Sequence, residues 1–319
     1  MRLCFIVEKK YKNETMPMAV VDQLRTWRHN VDLLEPQTAI TNLCHFTEQD
    51  YDAFILKTVS DGPGLSLLEA AEAIGIPTIN SSRAIRLVRD KTIAIALAHA
   101  HDIPTPQTYF VADPHLLQQV PQAAYPLVIK ASNGSCGRDI YLVKNPAELA
   151  TLRLVKAHNR FFLAQRYIKN VGFDIKIYVI GDEVFSVVQG SPLHPEMRVE
   201  KQCIPTTAEQ HELALRIGSI FGLDIYGLDI IETSHGLFVV DINDFPSFGH
   251  VSAAIPRIAN HILHVAQKMK RQHTPISLFR QDNHQLTQHN TRALEMLSSP
   301  GQRFSQNSSG FVKKVWRSY

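Results

Sequence analysis

The chain has 319 residues, with 33 Lys and Arg against 30 Asp and Glu, and 45% of its side chains are hydrophobic. That balance excludes a disordered, collagen-like or disulfide-scaffold chain and leaves room for a substantial core. The formal charge of +3 is unevenly placed: residues 273–319 carry six basic and two acidic side chains, so that stretch is +4 and residues 1–272 come to −1. A basic body built to grip nucleic acid is therefore not expected.

Arg2–Val7 is a short apolar run that reads as a first β-strand rather than a signal peptide, because charge returns at Glu8–Lys10. A helix through Ala19–Asn30, a strand at Ala53–Lys57, a turn at Asp61–Gly64 and a helix ending near Gly75 follow. This alternation implies a parallel sheet covered by helices. Lys91–His101 is an alanine-rich helix stopped ahead of Pro104. Leu127–Lys130 and Ile140–Val143 read as strands on either side of the loop Ala131–Asp139. Further strands are expected at Phe161–Gln165, Asp174–Ile180, Val184–Gln189, Tyr226–Glu232 and Leu237–Ile242, with helices at Ala208–Phe221 and Ile255–Arg271. From His273 onward polar residues dominate, and a disordered tail with one weak helix near Arg292–Leu297 is expected. Cys4, Cys44, Cys136 and Cys203 form no C-x-x-C pair, which points to neither zinc nor disulfides and to a cytoplasmic setting. No run approaches the roughly 18 apolar residues of a membrane span.

Three local patterns carry chemistry. Asp229 in YGLDIIE precedes Asp241 and Asn243 in FVVDIND. On a strand, 241 and 243 share a face, and Asp229 on a facing strand reaches the same spot. Two carboxylates and an amide oxygen are hard ligands suited to Mg²⁺, although D-x-N alone is more often a strand-end feature. The loop Ser132–Gly137, with Gly134 and Ser135, offers backbone N–H groups to phosphate but has neither P-loop nor dinucleotide spacing, so a plain hairpin loop remains open. Lys130, ending the apolar strand PLVIK, needs a partner; phosphate or a salt bridge would serve. His194, between Pro192 and Pro195, lies either in a loop over the site or in a simple connection, and His250 either approaches an acceptor hydroxyl or is an ordinary surface histidine, the second being the more common role.

Taken in order, Lys91, Lys130, the glycine loop, Gln165–Ile168, Asp229, Asp241 and Asn243 resemble the ATP-grasp superfamily across residues 1–270. The resemblance implies an α/β fold, α+β in its C-terminal part. A parallel-sheet domain (1–85), a central subdomain with the glycine loop (86–168) and a metal-bearing subdomain (169–272) would together clamp ATP, with a basic tail at 273–319. It implies ATP contacts from Lys91, Lys130, Gly134, Ser135, Gln165, Arg166, Tyr167, Ile168 and Asp174. Mg²⁺ or Mn²⁺, as two ions, would sit on Asp229, Asp241 and Asn243.

Two branches are similar. RimK-like carboxylate–amine ligases share the character of IGIPTINSSRAIRLVRDK and NGSCGRDIYLV. The inositol 1,3,4-trisphosphate 5/6-kinase branch resembles EKKYK, FILKTVSD, Gln165 through Lys176, SVVQGSPL and VVDINDFPSFGHV. That second likeness implies catalytic Lys176 and Arg138 and a phosphorylated acceptor held by Lys9, Lys57, Arg138, Lys176, Asn243 and Ser247. Gly190 stands where that branch has an arginine, and Arg166 where a hinge Asn or Glu is usual. No F-R-x-N-x-x-x-G-G segment separates 184–189 from 208–221, which tips the expectation toward a small-molecule kinase, with an ATP-dependent ligase acting through an acyl phosphate as the alternative. The partner expected is a small phosphorylated or carboxylate substrate, with no nucleic acid and no membrane span.

Overall fold

The computed structural model describes residues 1–47, 50–57, 62–131, 140–152, 161–169, 172–194 and 196–272. The glycine loop, with Gly134, Ser135 and Arg138, and the stretch from residue 273 onward lie outside the described residues.

The first sheet is parallel throughout, in the order β2-β1-β3-β4, with β1 at Arg2–Val7, β2 at Asn30–Leu34, β3 at Ala53–Lys57 and β4 at Thr78–Ile79. Its inner strands read as unbroken apolar runs because both faces are covered. Cys4 and Ile6 pack with Phe54, Leu56 and Leu68 of helix α2 (Gly64–Ala73), while Leu3, Phe5 and Val7 pack with Val20, Val21 and Leu24 of α1 (Thr15–Thr26). The expected helix at 19–30 begins and ends earlier, because Arg28 adopts a left-handed φ of 64° and the chain enters β2.

The expected helix after Lys91 is α4 (Lys91–Ala100), capped by Asp90, and it meets at a corner a helix the sequence did not announce, α3 (Ser82–Arg89), capped by Ser81. The central sheet is antiparallel, in the order β5-β8-β6-β7, with β5 at Thr108–Val111, β6 at Leu127–Ala131, β7 at Ile140–Val143 and β8 at Phe162–Arg166, and the short helix α5 (Pro146–Thr151) beside it. The third sheet is also antiparallel, in the order β11-β10-β9-β12-β13. Its strands are β9 (Phe173–Ile180), β10 (Glu183–Gly190), β11 (Gln202–Ile204), β12 (Ile225–Thr233) and β13 (Gly236–Asp244).

Helix α6 (Ala208–Phe221) opens with a capping box between Thr207 and Gln210 and ends at Gly222, whose φ of 71° favours glycine. Its Leu213 and Ile217 join Ala84 and Val88 of α3 and Ala94 and Ala98 of α4 under one face of the third sheet, against Ile175, Ile177, Leu228 and Val239. The other face is therefore left to carry the polar residues that alternate with these. Helix α7 (Ala254–Gln272) returns to the first sheet, where Ile258 and Ile262 share a core with Phe5 and Leu24. Among the described residues no helix is long and apolar enough to cross a membrane.

Candidate active site

A cavity of about 510 Å³ opens between the central sheet and the polar face of the third. Strand alternation decides who lines it. Asp174 and Lys176 are two apart on β9, as are Asp241 and Asn243 on β13. Lys176 lies opposite Asp229 of β12, which in turn lies opposite Asp241, so three charged residues form one row across the sheet. A bulge in the β12–β13 pairing follows Asp229, a local irregularity of the kind that re-aims side chains.

The row is tied together by charge. Lys176 Nζ donates to Asp229 Oδ1 at 2.8 Å, and Lys91 Nζ, from the first turn of α4, donates to Asp241 Oδ1 at 2.5 Å. Asn243 Nδ2 donates to Asp229 Oδ2 at 3.2 Å, and Lys130 Nζ to the Val240 carbonyl at 3.2 Å. These four lysine and aspartate side chains of the two ion pairs are 18–28% exposed, partly withdrawn from water but open to the cavity. Removal from water pushes Lys130 below its ordinary value, with Asp241 opposing. The same removal would raise Asp241, yet Lys91 and Lys130 outweigh it and hold that carboxyl below its usual range. For Lys176, burial works against the charge, but Asp229 overrides it and the pKa rises.

Among the described residues no cluster of three or more His, Cys, Asp and Glu side chains is arranged as a metal site. The set here is two carboxylates and an amide, and two lysine ammonium groups already sit on the carboxylates as cations. Such oxygen ligands fit a hard divalent ion that keeps part of its coordination for water and phosphate.

At the opposite wall, Gln165 is 3% exposed and donates through Nε2 to Thr108 Oγ1 at 3.0 Å. Arg166, Tyr167 and Ile168 follow along the cavity edge. The loop after β10 forms a roof through Ser191, Pro192 and Leu193. It is fastened to the opposite wall by His194 Nε2, 2.8 Å from Tyr167 Oη. It also presses on Gly172, where a Cβ would lie 2.1 Å from Met197 Sδ and φ is +94°, so only glycine fits. His194 thus ties the loop over the cavity to Tyr167 without itself lining the cavity.

The structure brings Lys91, Lys130, Gln165, Arg166, Tyr167, Ile168, Asp174, Lys176, Asp229, Asp241 and Asn243 to this one cavity. It does not bring Lys9, Lys57 or Ser247 there. Lys9 is exposed and its backbone N–H is held by Gln37. Lys57 Nζ donates to the Phe245 carbonyl and lies 4.8 Å from the Tyr11 ring centroid, with a pKa lowered to about 8 chiefly by burial. Ser247 lines a separate hollow with Phe248 and Met16. Sequence reasoning missed Gln189, which pairs with Asp174 across β9–β10, and Ile231, two residues beyond Asp229; period-two counting from the aspartates would have found both.

A parallel-sheet domain followed by two antiparallel sheets that enclose a lysine- and aspartate-lined cavity defines an ATP-grasp protein. The chain belongs to the RimK-like ATP-grasp family, whose domain description matches residues 88–266. A probable alpha-L-glutamate ligase of Haemophilus influenzae (strain PittEE) is 28% identical over 246 residues, spanning 68% of this chain and 83% of the relative. A RimK domain ATP-grasp protein from Sphaerobacter thermophilus superposes with a TM-score of 0.64 at 19% identity, over 82% of this chain and 100% of that one. A D-alanine–D-alanine ligase from Bacillus anthracis gives 0.63 at 15% identity, over 85% and 99%. At these identities the two structures speak for the fold.

These relatives overturn the kinase expectation, and with it the inositol phosphate branch: the family is RimK-like and the similar proteins are named as ligases. The error has a physical origin. YGLDII and VVDIND build β12 and β13, the floor of the cavity, and a floor suited to phosphate and metal is silent about the acceptor. Nor does the missing F-R-x-N-x-x-x-G-G segment exclude a ligase, because the stretch between β10 and α6 reaches the cavity through Ser191, Leu193 and Lys201 without it.

Proposed function

We propose that the protein is an ATP-dependent carboxylate–amine ligase acting on an amino acid of the glutamate class. The observation that carries the phosphoryl-transfer half is the row Lys176–Asp229–Asp241 with Lys91 bonded to its end. The family supplies the ligase half.

In this reading Lys91 and Lys130 hold the nucleotide phosphates, Asp174 takes the ribose hydroxyls, and the backbone at Gln165–Ile168 meets the base. Asp229, Asp241 and Asn243 would hold Mg²⁺, as two ions, which when bound would neutralise charge on the phosphates. Lys176 leaves Asp229 for the phosphoryl group in transit, and the lysines keep that group in line with its acceptor. A substrate carboxylate oxygen attacks the γ-phosphorus and ADP leaves. The amine then attacks the acyl carbon, the C–O bond to phosphate breaks, and an amide and inorganic phosphate result.

The test is to incubate the protein with ATP, Mg²⁺, L-glutamate and hydroxylamine. ATP-dependent hydroxamate, formed with one ADP per product, is expected. Transfer of the γ-phosphoryl into a stable organic phosphate, with no hydroxamate from any carboxylate tried, overturns the reading.

A further inference from the structure

The corner between α3 and α4 consists of Arg89, Asp90 and Lys91, and each residue is tied down. Arg89 grips Asp244 with two prongs, Nε to Oδ1 at 2.9 Å and Nη2 to Oδ2 at 2.8 Å, and the two side chains are only 11% and 12% exposed. Asp90 caps α4 by accepting the N–H groups of Thr92 and Ile93. Lys91 bonds Asp241 Oδ1. Asp241 and Asn243 project to the cavity face of β13, and by alternation Asp244 projects to the helix face with Ile242, which packs in the core beside α3 and α4. The corner therefore holds the end of β13 from both faces, Lys91 on one and Arg89 on the other.

The location gives the grip its importance. Among the described residues β13 is the last strand of its sheet, with β12 on one side and no strand on the other. Asn243 sits at its penultimate position, immediately before Asp244. Its amide nitrogen is engaged with Asp229 Oδ2, which leaves the amide oxygen for a cation. Rotation of the strand end by a few degrees would swing that oxygen out of register with the two carboxylates. A two-pronged arginine–carboxylate pair resists rotation as well as translation, which a lysine's single point charge does not.

We infer that Arg89 is a positioning residue for the metal set: through Asp244 it locks the end of β13 and so the orientation of Asn243. The inference rests on the reading of Asp229, Asp241 and Asn243 as metal ligands, and it assigns Arg89 no contact with substrate. Partners one step behind a metal ligand typically matter by about 10- to 100-fold in metal affinity.

The probe is Mn²⁺, titrated into the full-length protein saturated with β,γ-imido-ATP, with free Mn²⁺ followed by electron paramagnetic resonance. Arg89→Lys keeps the charge and loses the fork; Asp244→Asn keeps a hydrogen-bonding side chain and loses the ion pair. Both should bind the nucleotide in EDTA as the parent does, and both should hold Mn²⁺ about tenfold more weakly. Mn²⁺ affinity within twofold of the parent in both overturns the inference, as does failure of Arg89→Lys to fold, which would make the pair a purely structural link. Asp241→Asn separates the two levels. If it abolishes Mn²⁺ binding while Arg89→Lys does not alter it, only the positioning role falls; if Asp241→Asn also leaves Mn²⁺ binding intact, the metal reading falls with it.

Discussion

Lys91 and Lys176 each carry a carboxylate partner at the cavity floor, and those partners are the residues with the oxygens a divalent ion would use. Replacing Asp241 by Asn removes one full charge from a row whose acid is already held ionised by Lys91 and Lys130. ATP turnover should fall by about 10²–10³, the size of effect seen when a positioned electrostatic group is lost. Unaltered turnover in a coupled ADP assay would remove Asp241 from the site. Lys57 makes a different kind of prediction. Its pKa drops from 10.5 to about 8, mainly through burial. The folded protein therefore binds fewer protons than the unfolded chain between those values, and stability contributed at this position rises with pH across that window. Below pH 8 the cost of keeping the ammonium charged is present in full, on the order of 3 kcal/mol. Urea unfolding of the parent and of Lys57→Met at pH 7 and pH 10 should show the gap moving in the parent's favour; a constant gap would contradict it. Both residues stood out in the sequence, but the structure brings only Asp241 to the cavity. Asp241 announced itself by spacing along one strand, whereas the capture of Lys57 by the Phe245 carbonyl, 188 residues away, leaves no local mark.

At the scale of elements, the roof loop shows how a short connection becomes part of a site. Ser191 N–H is held by the Gly172 carbonyl, Met197 N–H by that of His194, and the His194 imidazole spans to Tyr167. A neutral hydrogen bond of this kind contributes about 0.5–1.5 kcal/mol, so removing it should weaken nucleotide binding roughly 2- to 10-fold. Both His194→Ala and Tyr167→Phe should raise the KM for ATP by that amount with kcat little altered, and the double variant should be no worse than either single one. Additive losses would mean that the two side chains act separately. Long elements with clear periodicity, such as β9, β12, β13 and α6, were legible nearly to their ends. The elements that escaped, β2, β4, β5 and β11, are two to five residues long and take their identity from a neighbouring strand rather than from their own pattern. α3 escaped for another reason: it is eight residues long and Asp90 both ends it and starts α4, so no turn signal separates the two.

Across the whole molecule, the nucleotide cavity and the first sheet come from distant parts of the chain, and any acceptor that must meet both requires them held in one orientation. The sequence displayed the parallel sheet and the strands that carry Asp229 and Asp241 but not the joint between them, which is made by a shared apolar core, by Lys57 on the Phe245 carbonyl and by one buried amide. Asn80, 3% exposed, follows the end of β4. Its Oδ1 accepts the N–H groups of Asp224 and Ile225 at 2.8 Å each, and its Nδ2 donates to the Ile225 carbonyl at 2.7 Å. It thereby completes the hydrogen bonding at the very start of β12, the strand that carries Asp229. Asn80→Ala would leave two N–H groups without their acceptor in a site that water reaches poorly, at a cost of about 1–3 kcal/mol for each group left unmet. Stability to urea should therefore drop by roughly 2–6 kcal/mol, and Asn80→Asp, which keeps the Oδ1 acceptor but sets an oxygen in place of the donor against the Ile225 carbonyl, should also be destabilised. If the amide is a joint and not only a contributor to stability, hydrogen exchange should rise together in β4 and at the start of β12 while β6 and β8 of the central sheet keep their protection. Uniform loss of protection across all three sheets would show instead that Asn80 supports the fold as a whole and sets no particular relation between the first sheet and the catalytic one.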